Sequence, residues 1–456
     1  MKTIFISCPD GYHTRMLLRT EIFELLKKSG NRIVILAPNW DEEYFVREFK
    51  DINVFLEPLV NHKPSWLEWR FIGIRKEIFA NVKLLETLNI KFKNMKSENY
   101  LKFIIKRTIN VIANFSLVRE ILLKLENWLF PDVYYKDLFR KYKPDLLIAA
   151  TPGFKIPDIP LLKRAKKENV KIVCPVLSWD NLTSKGYMNP KPDKLIVWNE
   201  IMKQEAITFH NFKEEDIYVS GVPQFDIYWR NNNFSSREIF FKKLGLDINK
   251  KLLTLTSSPF KTYPYFDDII QIILDAIKTN KFVFPSQLLV RLHPQDERSR
   301  YDKFKSTDGL VIDYPGKYST KMDWDPDKKD MIHLMETMKY SDVVINVAST
   351  TTIDSCIFDT RVINIGFDGY RNHPYATSCL RYYDYSHYKN ITKSKGIRIA
   401  RSPQELIDLI NLYLKNPQID RSGRAKIVKG QCYKTDGKSG ERVANYILNF
   451  LNSNRA

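Results

Sequence analysis

Two kinds of apolar spacing alternate along this chain. Short runs such as TIFISC, RIVILA, DLLIAA, KIVCPV and KLIVW are apolar at almost every position and rich in β-branched residues. Between them lie longer stretches in which apolar residues return every three or four positions. The first pattern predicts strands covered on both faces, and the second predicts amphipathic helices. Strands are expected at 3–8, 32–37, 52–56, 145–150, 171–176, 194–198 and 217–220. A second series follows at 252–257, 287–292, 310–313, 342–347, 361–365 and 396–400. Helices fall between them, for example over 14–28, 155–168, 265–279, 331–339 and 403–415. Alternation of this kind specifies parallel sheets with helices on both sides. The expected fold class is therefore α/β, with two doubly wound domains.

The polar stretch WRNNNFSSR at 229–237 separates the two series. Residues 1–230 are expected to form the first domain and 237–437 the second. A terminal helix within 438–456 would follow, placed to return to the first domain. Residues 61–143 interrupt the first domain between its third and fourth strands, and their scarcity of Gly and Pro predicts helices there.

Composition narrows the class. With 44% hydrophobic and 27% charged residues, the chain is globular rather than disordered or fibrous. No apolar run reaches the ~18–20 residues of a membrane-spanning helix. The opening MKTIFISCPDGYHTR is too short in its apolar part and too polar for a secretory signal. Cys8, Cys174, Cys356, Cys379 and Cys432 are scattered through apolar runs and read as reduced core thiols of a cytoplasmic protein.

Charge adds a partner. A net +19 favours something polyanionic, and residues 61–143 hold 17 Lys and Arg against 8 Asp and Glu. Basic and apolar residues mingle there, as in LKFIIKRTINVIANFSLVREILLKLENWLF. No nucleic-acid-binding module or aromatic stacking platform accompanies them. The expected partner is an anionic membrane surface, each cation near it contributing about 1 kcal/mol. The alternative is a set of ordinary helices with solvated basic faces. On the first reading the protein is peripheral to the inner face of the cell membrane.

Doubly wound sheets bind ligands beyond the carboxyl ends of their strands. In the second domain those ends carry Ser257-Ser258, then Arg291 and His293, then Ser349-Thr350-Thr351-Thr352. Hydroxyls opening a helix, with cationic or imidazole donors beside them, suit the phosphates of a nucleotide. An N-cap without ligand accounts equally for the hydroxyl run. Asp354, one helical turn past Thr351, is a candidate for a ribose hydroxyl. In the first domain His13 follows the first strand and is a candidate to orient or deprotonate an acceptor, with Arg15 to hold an acceptor phosphate. There is no G-x-G-x-x-G fingerprint and no P-loop. His62, His210, His333, His373 and His387 lack metal-ligand spacing, so no metal and no resident cofactor are expected.

Motifs in the second half carry a family resemblance. His293-Pro294-Gln295, the hydroxyl cluster in DVVINVASTTTIDSCIFDTRVINI and the terminal KTDGKSGERVANYI resemble, in that order, the CDP-glycerol glycerophosphotransferases. VSGVPQFDIY is similar to that family's Gly-x-Pro-Arg-x-Asp segment, and PVLSWDNLTSKG to its Trp-His-Gly stretch. The resemblance spans roughly 171–451 and implies a GT-B fold, two Rossmann-like domains facing a cleft, with the nucleotide donor on the second and the acceptor on the first. Where the family has the His proposed as base, this chain has Asp180, between Trp179 and Asn181. By position Asp180 would be the base, with its neighbours at the acceptor; a carboxylate suits deprotonation of a hydroxyl in sugar transfer. An Asp-Asn turn is the competing reading.

The expectation is thus a metal-independent GT-B glycosyltransferase of cell-envelope biosynthesis. Its co-substrate would be a CMP-, CDP- or UDP-linked sugar, and its acceptor a glycan or lipid-linked molecule. Alternatives are transfer of glycerophosphate from a CDP-alcohol, a hydrolysing UDP-N-acetylglucosamine 2-epimerase, similar in its terminal Asp-Gly-Lys, and a non-catalytic binder of anionic polymer.

Overall fold

The first run of the chain, Thr3–Ser7 (β1), is buried along its whole length, as its uninterrupted apolar pattern demands. It pairs in parallel with Arg32–Ala37 (β2) on one side and Leu146–Ile148 (β4) on the other. Val54–Pro58 (β3), Lys171–Pro175 (β5), Lys194–Val197 (β6) and Ile217–Val219 (β7) extend the sheet in the order β3-β2-β1-β4-β5-β6-β7. The third strand starts two residues later than its apolar run, because Asp51 and Val54 close a tight turn first. The structure is a computed structural model that describes residues 1–230, 234–305, 307–316 and 318–453. The expected linker at 229–237 falls partly on 231–233, outside the described residues.

The second sheet holds Lys251–Thr256 (β8), Ser286–Arg291 (β9), Leu310–Asp313 (β10), Val343–Asn346 (β13), Arg361–Ile365 (β14) and Arg398–Ala400 (β15). A separate two-stranded hairpin, Tyr318–Ser319 (β11) and Asp323–Trp324 (β12), lies between β10 and β13 in sequence. The six strands run parallel in the order β10-β9-β8-β13-β14-β15. In each sheet the first strand sits beside the fourth, β1 by β4 and β8 by β13, so strand order reverses there. That reversal leaves a crevice beyond the strand ends.

The chain divides into two compact units. The first comprises Met1–Arg230, Tyr318–Asp325 and Gln431–Ala456, and the second Asn231–Lys317 and Pro326–Gly430. Two stretches from late in the sequence therefore belong to the first unit, the hairpin being one and the terminal helix the other. Helix Ser439–Asn452 buries Val443, Ile447 and Leu451 in the same core as Ile22, Leu26 and Ile4. Tyr446 stacks on Tyr218 of β7 with ring centroids 4.3 Å apart. Lys171 Nζ donates to the carbonyl of Phe450 at 2.8 Å, capping the end of that helix.

Between β3 and β4 lie helices Trp66–Arg75, Glu86–Glu98, Tyr100–Ala113, Ser116–Leu129 and Lys136–Tyr142. They pack into small cores that later residues share, around Phe79, Leu85 and Phe92 with Phe209, and around Ile78 and Ala113 with Tyr187. Among the described residues no helix is long and apolar enough to cross a membrane. All five cysteines are buried.

Candidate active site

At the end of β1 the chain turns into helix Gly11–Leu17, and Asp10 caps it. Asp10 Oδ1 accepts from the backbone N–H of His13 at 3.1 Å and from its ring Nδ1 at 2.7 Å. In the tautomer with its proton on Nδ1, facing the carboxylate, the ring's lone pair lies on Nε2. His13 is 1% exposed, and its Nε2 is buried with no hydrogen-bond partner. Burial works to raise the Asp10 carboxyl, but hydrogen bonds from His13, the positive charge of its ring when protonated, and Lys155 at 3.3 Å outweigh it and hold the group below its ordinary value. The carboxylate thus stays ionised beside the ring, which is how an Asp-His pair prepares a general base.

Asp158, which sequence reasoning missed, completes this end of the sheet. It accepts from the N–H and the hydroxyl of Thr151 after β4, at 3.0 and 2.6 Å, and from Ser7 of β1. Its carboxyl is pushed up by burial against those hydrogen bonds. One side chain therefore ties β1 to the residues after β4 at the crevice where strand order reverses. Nothing in the sequence distinguishes this Asp from an ordinary first-turn acid of a helix.

Asp180 lies elsewhere, beyond β5. It precedes the one-turn helix Asn181–Ser184, and its Oδ2 accepts from the Ser184 hydroxyl at 2.8 Å, with Lys185 Nζ 3.4 Å away. Trp179 and Asn181 are buried. His210 anchors the turn, donating from Nε2 to the Leu182 carbonyl at 2.8 Å, and its ring stacks on Tyr187. Burial drives the His210 pKa down to about 4. Behind Asp180, burial and then that aspartate's charge push the carboxyl of Glu205 up to about 8. Arg15, in the helix of His13, is half-buried.

In the second unit the hydroxyl residues gather around its own strand reversal. Thr256, at the end of β8, meets Thr351 after β13 through their hydroxyls at 3.1 Å. Ser257 accepts the backbone N–H of His293 at 2.8 Å and donates to Asp296 at 2.7 Å, so it shapes the loop after β9. His293 Nδ1 accepts from the Gln295 N–H at 3.1 Å, and burial lowers its pKa to about 4. The ring is thus neutral with its proton on Nε2, a donor for an anion's oxygen. Ser349 accepts the N–H of Thr351 at 3.2 Å, while the side-chain hydroxyls of Ser258 and Thr350 have no hydrogen-bond partner among the described residues. Asp354 is buried in helix Thr351–Ile357. Arg291 is committed to a buried ion pair with Asp313, which also takes His333 at 3.0 Å. That pairing, rather than an open guanidinium, is what the run RLHP encodes. Among the described residues no group of three or more His, Cys, Asp or Glu is placed to hold a metal ion.

Two motifs of the family resemblance turn out to meet each other. Asp226 of GVPQFD accepts the backbone N–H groups of Ser439 and Gly440 at 2.9 and 2.7 Å, capping the terminal helix. Arg442 returns to the Ser220 carbonyl at 2.7 Å and pairs with Asp436 at 2.8 Å. Gly221 has φ +89°, and a Cβ there would stand 2.5 Å from Ser439 Oγ.

Comparison with known proteins places the chain. The family model for CDP-glycerol:poly(glycerophosphate) glycerophosphotransferase matches residues 180–449. No curated protein matches by sequence. Among solved structures, the UDP-bound MnaA of S. aureus is similar at TM-score 0.57 and 11% identity, covering 99% of this chain and 97% of that one. The UDP-GlcNAc 2-epimerase of Neisseria meningitidis bound to UDP-GlcNAc is similar at 0.53 and 11%, covering 98% and 100%. WaaG, a glycosyltransferase involved in lipopolysaccharide biosynthesis, is similar at 0.50 and 11%, covering 98% and 99%. At such identities the likeness is one of fold, the GT-B fold.

Proposed function

Because the chain belongs to the CDP-glycerol:poly(glycerophosphate) glycerophosphotransferase family, and is a GT-B transferase, we propose that it moves a glycosyl group from a nucleotide sugar to a hydroxyl of a surface-polysaccharide or lipid-linked acceptor. The observation that carries the mechanism is the Asp10–His13 pair with its buried, unpaired Nε2. His13 takes the acceptor proton as the oxygen attacks the anomeric carbon, and Asp10 stabilises the imidazolium that forms. The nucleotide leaves with the bonding pair, and donors of the second unit meet its phosphate: the His293 Nε2–H and the hydroxyls of Ser258 and Thr350. Ser257, Ser349 and Thr351 hold those loops. Asp180 ranks behind His13 as base, since it lies one strand away from the reversal and is engaged by Ser184 and Lys185.

The family match favours a second reading, transfer of glycerophosphate from CDP-glycerol by the same base. The 2-epimerases among the structural neighbours share only the fold, and UDP and UDP-GlcNAc are what those proteins bind. Thermal shifts with CMP, CDP, UDP, GDP and ADP test the nucleotide site. A ligand at a hundred times its Kd adds about 2.7 kcal/mol to stability. Turnover with CDP-glycerol alone would select the second reading, and turnover with a UDP- or CMP-sugar the first. If no nucleotide shifts the melt, both readings fall.

The same reading places the enzyme on the inner membrane face. Of 29 exposed large apolar side chains among the described residues, 18 lie between Trp66 and Tyr134. Leu117, Ile121, Leu125 and Trp128 form one exposed stripe on helix Ser116–Leu129. Leu101, Ile104 and Ile105 form another on helix Tyr100–Ala113, which carries Lys102, Lys106 and Arg107 and no acidic residue. An apolar stripe beside cations suits an anionic bilayer surface.

A further inference from the structure

The hairpin of β11 and β12 is encoded among second-unit residues yet packs in the first unit, against the turn that holds His13. Trp324 lies on the Tyr12 ring with centroids 4.6 Å apart. The Thr14 hydroxyl reaches Met322 Sδ at 3.5 Å. The Trp324 carbonyl occupies the space where a Cβ on Gly11 would be, 2.0 Å from it, which is why glycine opens that helix. Asp325 then fixes the strand end, taking Tyr44 OH at 2.7 Å and pairing with Arg19. The residues on both sides of His13 are thus in contact with the hairpin.

Two polar atoms in this cluster are buried without partners, the Nε2 of His13 and the indole Nε1 of Trp324. One is an acceptor and the other an obligate donor. Folding leaves such atoms unpaired at considerable cost unless something else satisfies them. Their complementarity fits a molecule with more than one hydroxyl, which gives a proton at one oxygen and accepts a hydrogen bond at another. We propose that Trp324 is an acceptor-positioning residue, its indole N–H holding a second hydroxyl of a sugar or polyol acceptor while His13 takes the proton of the reacting one. The proposal rests on the reading of His13 as base and adds that the acceptor is polyhydroxylic.

Trp324→Phe keeps an aromatic ring beside Tyr12 and removes the indole N–H together with the rest of the pyrrole ring. The expected result is a 10- to 100-fold rise in acceptor KM, with kcat less affected and nucleotide affinity unchanged. An unaltered acceptor KM overturns the proposal. The indole resonance of ¹⁵N-labelled wild type, assigned through Trp324→Phe, provides a measurement independent of turnover. Glycerol, glycerol 3-phosphate and methyl N-acetylglucosaminide are the probes. A saturable downfield shift with at least one supports the assignment, and no shift with any of them overturns it. His13→Gln separates the two claims. If it abolishes turnover while the indole still responds to the probes, base and positioning residue both stand. If it leaves turnover intact while Trp324→Phe still raises KM, only the base assignment falls.

Discussion

His13 and Asp180 illustrate how little a residue's chemistry says about its role until its neighbours are known. Both follow strands of the first sheet and both can accept a proton. Only His13 combines a carboxylate on one nitrogen with an unpaired, buried second nitrogen. His13→Gln is expected to lower kcat at least 100-fold, and Asp10→Asn nearly as much, because the asparagine no longer stabilises the imidazolium. Asp180→Asn should cost less than 10-fold; steady-state kinetics with whichever donor turns over decides between them. Asp226 makes a different kind of claim. It is a conspicuous motif acid, yet its oxygens are spent on two backbone N–H groups at the start of the terminal helix. Asp226→Ala is therefore expected to lower stability by about 2 kcal/mol, the cost of stranding buried donors, read as a lower denaturation midpoint.

At the scale of elements, the helices between β3 and β4 show the limit of periodicity. Apolar spacing in Tyr100–Ala113 and Ser116–Leu129 announces an amphipathic helix but not which face is covered. In the structure much of the apolar side is exposed: Trp128 is 76% and Leu101 69% accessible. Replacing Leu117, Ile121, Leu125 and Trp128 together by Ser should reduce flotation with phosphatidylglycerol vesicles at least 10-fold, while thermal stability is held or raised. Removing Lys102 and Arg107 should instead weaken binding only at low salt. Equal flotation of the fourfold variant would sink the docking reading.

For the molecule as a whole, acid sensitivity is built into both units. His210 in the first and His293 in the second have pKa values lowered to about 4 from an ordinary 6.5. The unfolded chain binds more protons than the folded one between those values. Their contribution is complete above pH 6.5 and is lost as pH falls towards 4, by about 1 kcal/mol per pH unit for each. Glu205, raised to about 8, acts oppositely: the folded state holds its proton, and stability is lost as pH rises from 4.5 through 8. Tm should peak near pH 6.5, and Glu205→Gln should flatten the alkaline side in a melt series across pH 4–9. Part of this architecture is written in local periodicity. Two series of doubly buried strands, their parallel pairing and the polar strand ends all follow from apolar runs and short-range turn chemistry. The position of His13 and His293 just beyond β1 and β9 is legible too, because a strand's carboxyl end is a position along the chain. The partners of these residues come from packing. The pairing of Arg291 with Asp313, the meeting of Asp226 with Ser439 and Gly440, the bridge of Asp158 to Ser7, and the docking of Trp324 beside His13 join residues far apart in sequence. No local pattern encodes such contacts, since they come into being when the sheets and helices pack.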